Sequence, residues 1–147
     1  MSKTNYLEEG WLDAWYFGTS LGNITRNAAS PDTEWWVTLF TADPTESGVF
    51  TNEAGYDNFL RESIDRGPAA GDFSRTGSIL SNDNAITFNT ATTDPTSETV
   101  TYWGIVDAET LGTGNLMIYG QLSGSGLVVS WNTTPSFDVG ELTYDED

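Results

Sequence analysis

The sequence contains no cysteine and no histidine, and Lys3 is its single lysine. Without cysteine there are no disulfides, zinc-thiolate sites or thiol nucleophiles. Without histidine the chain lacks the commonest general base at neutral pH and a usual nitrogen ligand of transition metals. These absences exclude most hydrolase and oxidoreductase templates, so we expect a protein that is not an enzyme and carries no cofactor.

Positive charge is also scarce, since 5 basic residues stand against 22 acidic ones and give a formal net charge of −17. Nucleic-acid phosphates are bound by Lys and Arg, and the scattered arginines cannot form a basic groove. An anionic membrane surface would repel the chain as well. We therefore expect neither nucleic acid nor membrane among its partners. Most carboxylates are expected to keep the surface solvated, with a basic partner surface or bound cations as the alternative.

Long hydrophobic runs are absent. Residues 1–10 lack the apolar core of a signal peptide, and no stretch approaches the roughly 20 apolar residues of a membrane span. Because no long polar segment interrupts the 147 residues, we expect a single domain over 1–147 with an acidic C-terminal end at 144–147.

Aromatic residues are plentiful, with 6 Trp, 6 Tyr and 7 Phe. The first of them occur in the one segment with helical periodicity, about residues 4–17, where Thr4 can act as N-cap and Gly18 as C-terminal stop. Spacing places one apolar set on a single helix face, which we expect to cover the open side of a sheet, or alternatively to dock onto a neighbouring subunit. That set is Leu7, Trp11, Leu12 and Trp15.

After Gly18 the pattern is that of an all-β protein, with Gly, Asn, Asp, Ser and Pro clusters between runs of strand length. The sequence predicts an antiparallel β-sandwich, jelly-roll-like, of about seven to nine strands. The strongest strand candidates are Trp35 to Thr41, Asn58 to Ile64, Ile86 to Thr92, Val100 to Asp107, Leu116 to Leu122, Leu127 to Trp131 and Ser136 to Tyr144.

Two glycine loops, 112–115 and 124–126, each separate two of these strand candidates. Short glycine loops are typical of hairpins, so we expect 100–131 to form a meander of two hairpins. The segment between Arg66 and Asn84 has weaker patterning and is expected to be a long excursion over the sheet.

Two kinds of acidic site need consideration. A carboxylate pair about 5 to 10 Å apart could support glycoside hydrolysis, but among 22 acidic residues such a pair arises by chance. Oxygen ligands for Ca²⁺ occur in Asn82-Asp83-Asn84 and in Asp43 with Glu46. Neither group has the spacing of an EF-hand loop, so turn chemistry is favoured and no metal site is predicted.

Two blocks stand out in the sequence, Leu39 to Pro44 and Tyr102 to Ile105. Together with several further blocks they resemble a family of small β-rich structural proteins of tailed bacteriophages. Members of that family carry labels of tail or fibre proteins, and related proteins serve as capsid decoration or cement proteins. The resemblance extends from about Thr4 to Tyr144, and its best marks are Leu39 to Pro44 and Tyr102 to Ile105. The remaining blocks are Asn5 to Glu8, Ala54 to Tyr56, Asn84 to Thr92 and Gly114 to Gly120.

The resemblance implies a non-enzymatic virion subunit with no small-molecule substrate, made in the host cytoplasm without a signal peptide. We expect a capsid decoration or cement protein on the outer head surface, whose partners are the major capsid protein and sister copies in a homotrimer or other symmetric oligomer. The alternative is a tail, neck or fibre component that binds a host surface glycan or another tail protein, through aromatics such as Trp131. The candidate interface residues are Trp11, Trp15, Tyr16, Phe17, Trp35 and Trp36.

Adjacent Trp35 and Trp36 must point to opposite sides of a strand. At least one of the two is therefore expected to lie in the core.

Overall fold

A computed structural model describes residues 2–4, 6–7, 34–65, 72–76, 79–93 and 97–145. Short antiparallel strands dominate these ranges, with a 3-10 turn at Phe50–Asn52, which confirms the mainly β class. The strands are β1 Ser2–Lys3, β2 Glu34–Phe40, β3 Glu62–Asp65, β4 Phe73–Thr76, β5 Ile79–Asn82, β6 Ile86–Thr87, β7 Ser97–Val100, β8 Tyr102–Val106, β9 Leu116–Gln121, β10 Leu127–Ser130, β11 Ser136–Phe137 and β12 Thr143–Asp145.

The largest sheet has five strands in the order β1-β9-β8-β2-β3. Strand β2 lies between β8 and β3, and its aromatic and β-branched residues suit a position with neighbours on both sides. Three smaller antiparallel sheets accompany it, in the orders β10-β7, β11-β6 and β12-β5-β4.

Both faces of the five-stranded sheet are buried. Val37, Leu39 and Ile105 face a large core cluster to which residues of all three smaller sheets contribute. Phe40 and Val106 face a second cluster on the opposite side. The alternation along β2 therefore separates two cores rather than core from solvent.

The segment between β2 and β3 covers the second face. Its backbone returns alongside β2, with hydrogen bonds from Thr41 N to Asn52 O and from Ala54 N to Leu39 O, both 2.8 Å. The Phe50 ring packs against Phe40 with centroids 6.1 Å apart. A polar-looking connection thus forms part of the core.

The predicted meander is half right. Strands β8 and β9 form the first hairpin, with a β-bulge between Ile105 and Val106. The second hairpin is wrong, because β10 pairs with β7 in another sheet, from Leu127 opposite Val100 to Ser130 opposite Ser97. The free edge of β9 is occupied instead by β1.

Several predicted boundaries are also wrong. Part of the expected excursion between Arg66 and Asn84 forms β4 and β5, which pair with β12 in a three-stranded sheet. The predicted strand from Val100 divides at Thr101, whose backbone N–H bonds Phe40 O across the sheet junction at 2.8 Å. Asn58 has a left-handed backbone conformation, with a φ of 69°, and the strand there begins only at Glu62.

The number of strands also exceeds the seven to nine expected, since the described residues contain twelve. The excess comes partly from two-residue strands and partly from division of longer candidates: Ser136 to Tyr144 contributes to two different sheets, and only Ile86–Thr87 of the Ile86 to Thr92 candidate is a strand. The acidic end is ordered as far as β12, in which Tyr144 is buried opposite Leu80.

The N-terminal helix predicted over 4–17 lies outside the described residues, apart from Thr4, Tyr6 and Leu7. Leu7 packs against the large core cluster. Across the ranges that the structure describes, no helix has the length and apolarity needed to cross a membrane.

The crossing from β9 to β10 depends on Gly126, and Gly126→Ala should be destabilising. Gly124 and Gly126 share the loop and a positive φ, of 71° and 82°. A Cβ at Gly124 would meet nothing within 4 Å, whereas one at Gly126 would collide with Val100 O. We expect Gly126→Ala to lose about 1 to 3 kcal/mol more unfolding free energy than Gly124→Ala in chemical denaturation, because only Gly126 has an added clash. Equal losses would contradict this account of the crossing.

Candidate interaction surfaces

A buried ion pair joins Arg61 to Glu53 beneath the second sheet face. Arg61 donates from Nε to Glu53 Oε1 at 2.6 Å and from Nη2 to Oε2 at 3.0 Å. Its Nη1 donates to Ala108 O at 2.5 Å and to Thr113 O at 3.0 Å. The guanidinium also lies 5.0 Å from the centre of the Phe50 ring. The planar fork of arginine therefore satisfies four acceptors at once.

Glu53 completes the network from its side of the pair. Its Oε1 accepts a hydrogen bond from the buried Thr38 hydroxyl at 2.5 Å, and its Oε2 accepts from Gly112 N at 2.7 Å. These contacts connect the covering segment to β2 and to the loop between β8 and β9. Because each carboxylate oxygen has two donors, the pair is a structural clamp rather than a site for chemistry.

Glu53→Gln should destabilise the protein strongly. The substitution keeps the shape but removes the charge that compensates buried Arg61, and breaking one side of a buried pair costs about 3 to 5 kcal/mol. The control is Glu109→Gln at an exposed position, for which we expect a change within about 0.5 kcal/mol. Urea denaturation of both variants measures the difference, and similar midpoints would refute the clamp.

A second group of acidic residues surrounds Tyr56. Glu98 accepts hydrogen bonds from the backbone N–H groups of Gly55 and Tyr56, at 3.0 to 3.1 Å. The Tyr56 hydroxyl donates to Asn89 O at 3.1 Å. Burial, followed by the charges of Glu62, Glu98 and Asp57, raises the pKa of Tyr56 well above its usual value. Tyr56 therefore stays protonated as a structural donor, and Glu98 is held by backbone amides.

Burial also raises the pKa of Glu62 above its ordinary value of 4.5. The folded state therefore holds this proton more tightly than the unfolded chain, and ionisation of Glu62 weakens folding as pH rises above the ordinary pKa. Glu62→Gln should be more stable than wild type at pH 7, and this advantage should disappear at a pH below the ordinary pKa.

Thermal melts at both pH values would measure the effect of Glu62→Gln. Glu34→Gln, at an exposed position of the adjacent strand, serves as the control and should show no such pH-dependent difference. If Glu62→Gln is as much more stable than wild type in acid as at pH 7, burial of the ionised Glu62 carboxylate is not the cause of its effect.

The two oxygen-rich groups considered for Ca²⁺ are used in turns. The Asn82 amide donates to Asn84 O and Asp138 O and accepts from Leu142 N, at 2.8 to 2.9 Å. Asp43 accepts from Thr45 N at 2.7 Å, as in an Asx turn. Within the described residues no group of three or more acidic side chains could hold a metal ion.

The candidate interface aromatics are distributed between two faces. Trp35 packs against the large core cluster and Trp36 against the second cluster, and both side chains are partly buried. The other four, Trp11, Trp15, Tyr16 and Phe17, lie outside the described residues.

The most exposed large apolar side chains include three near the chain's last strands. Trp131 is 57% exposed, Val128 is 55% exposed and Val139 is 63% exposed. Val128 is on the outer side of β10, where buried Val129 points inward, and Trp131 follows directly after the strand. Alternation in Leu127 to Ser130 could have identified Val128, but no sequence signal marks Val139.

A cleft with mixed polar and apolar lining lies where β8, β9, β10 and β11 approach the segment before β12. Its volume is about 470 Å³, within the range of roughly 300 to 1,000 Å³ typical of ligand sites. Residues far apart in sequence line it, so no motif could have indicated it: Trp103, Gln121, Leu122, Ser123, Gly126, Leu127, Ser136, Phe137, Glu141, Leu142 and Thr143.

The chain is similar to a known family of phage proteins. Residues 2–145 match the family model described as podophage GP4 fiber I protein gp80. The chain belongs to this family. A search of curated proteins found no match.

Membership of the fiber I family confirms the resemblance to phage structural proteins and identifies the chain as a virion component. The family description names a fibre protein, so it favours the tail or fibre alternative over capsid decoration. The outer capsid surface, the capsid partner and the symmetric oligomer stay predictions.

Proposed function

We propose that this chain is a non-enzymatic structural subunit of the fibre apparatus of a podophage. The observation that carries the proposal is the match of residues 2–145 to the fiber I family, which spans nearly the whole chain. Capsid decoration rested on the compact fold and the acidic surface, and neither feature is specific to the head. The fibre assignment therefore replaces it.

The packing supports a sandwich-like body for this subunit. Val37 and Leu39 of the five-stranded sheet share one cluster with Val129, Phe137 and Tyr144 from the three smaller sheets. Opposed sheets that share one core are the arrangement of β-sandwiches. We propose on this basis that the smaller sheets form the second layer.

Attachment to another virion protein or to a sister copy is proposed to use the apolar surface of Val128 and Trp131. An exposed Trp is the side chain most often found at energetic centres of interfaces. On a chain with net charge −17, burial of apolar area must overcome charge repulsion between copies, so a tightly packed aromatic contact is required.

The location of the protein in the virion can be measured by quantitative mass spectrometry of purified particles and of separated heads and tails. We expect few copies relative to the major coat protein, and recovery in the tail fraction. A copy number comparable to the coat protein, with recovery in the head fraction, would overturn the fibre assignment.

Trp131→Ser tests the attachment surface. Loss of an interface tryptophan typically costs about 2 kcal/mol or more, so we expect at least a tenfold reduction in incorporation into particles, with an unchanged melting temperature. Leu60→Ser is the matched control, because Leu60 is 56% exposed and lies on a different segment. Normal incorporation of Trp131→Ser would exclude this surface.

A further inference from the structure

The cleft defined above by its eleven lining residues has an apolar floor. Trp103 and Leu142 are almost completely buried there, with exposures of 3% and 1%, and Phe137 lies beside them at 7%. Leu127 is partly buried at the same place. The floor offers apolar surface at the bottom of an opening that reaches solvent.

Trp103 contributes an unused donor to this floor. Its indole N–H forms no hydrogen bond within the described part of the chain, although only 3% of the residue is exposed. Trp103 also lines the cleft. Because a buried indole N–H usually finds a partner, this one is suited to a ligand oxygen.

The rim of the cleft is polar and mostly neutral. Gln121, Ser136 and Thr143 are exposed and carry amide and hydroxyl groups that can both donate and accept. Among the described residues of the lining Glu141 is the one carboxylate, and it accepts a hydrogen bond from Asp138 N at 2.7 Å. No Lys or Arg belongs to the lining among the described residues.

This chemistry selects a neutral polyhydroxyl ligand. A sugar presents apolar C–H faces to an apolar floor and hydroxyls to amide and hydroxyl groups at the rim. A phosphate or an acidic sugar would find no cation among the described lining residues and would enter the field of a chain with net charge −17. An apolar peptide side chain would leave the Trp103 donor and the rim groups unpaired.

We propose that this cleft is a binding site for a neutral glycan, with Trp103 Nε1 donating to a ring or hydroxyl oxygen and Gln121, Ser136 and Thr143 binding further hydroxyls. The proposal draws on the fibre assignment only for its biological setting, since a fibre can meet the host surface. The site itself rests on the geometry of the cleft.

The test uses the full purified chain on an array of neutral and acidic oligosaccharides, followed by titration of the strongest neutral hit with intrinsic tryptophan fluorescence. We expect selective binding to a neutral glycan, and at least a tenfold weaker affinity for Gln121→Ala. Thr99→Ala, at an exposed strand position outside the lining, is the control and should bind as wild type.

Trp103→Phe separates binding from folding. It keeps an aromatic ring in the floor but removes the N–H, so we expect an affinity several-fold weaker and loss of the ligand-induced fluorescence change. If Trp103→Phe unfolds the chain, Thr143→Val provides the second variant, because Thr143 is exposed and its hydroxyl can be removed without emptying the core.

Failure to bind any neutral glycan at millimolar concentration by a folded protein would overturn the proposal. Binding that Gln121→Ala and Thr143→Val leave unchanged would also overturn it, as would selective capture of acidic glycans or of a peptide in the cleft. Particle fractionation reports on the fibre assignment alone, so either idea can fail without the other.

Discussion

The structure depends on the burial of both faces of the five-stranded sheet, although among the described residues only one face meets other sheets. In the described structure the second face is covered by the segment between β2 and β3. This segment supplies little apolar area to that face, with Phe50 partly buried and Val49 exposed, because its buried Tyr56 and Phe59 belong to the large core cluster. The Arg61–Glu53 pair holds this segment down, since it reaches β2 through Thr38 and the β8–β9 loop through Gly112. Each charge lost its water on burial, and the multiple short hydrogen bonds compensate for that loss.

Close packing under this clamp depends on the absence of a side chain at one position of β8. A Cβ at Gly104 would lie 2.6 Å from Leu116 Cδ1 and 3.1 Å from Phe40 Cε2. The glycine thus lets two large side chains of neighbouring strands approach each other on the covered face. The Arg61–Glu53 clamp and the apolar packing stabilise the same face of the sheet. The clamp fixes the segment that carries Phe50, and the Phe50 ring packs against Phe40.

Local residue patterns predicted the positions of strands better than they predicted which strands pair with each other. Strand β2 and the β8–β9 hairpin follow from strand-forming runs and a glycine loop. The same kind of loop before β10 indicated a turn but could not say which edge β10 would join, because that choice depended on β1, far away in sequence. Arg61 looked like one of a few scattered cations, and nothing near Glu53 marked it as its partner. Strand partners and ion pairs such as Arg61–Glu53 depend on the topology of the fold, which cannot be read from hydrophobic periodicity.

The charge of the chain bears on how the proposed fibre subunit would adhere to a surface. With net charge −17, long-range attraction to an anionic surface is not available, and exposed charges are screened beyond about 8 to 10 Å at physiological ionic strength. Adhesion must then come from short-range contacts inside a cleft that excludes like charge. The lining around Trp103 has that character, since its polar groups are neutral except Glu141, whose carboxylate already accepts a backbone N–H. A neutral ligand avoids the desolvation of a second charge, so the acidity of the chain also restricts what the cleft can bind.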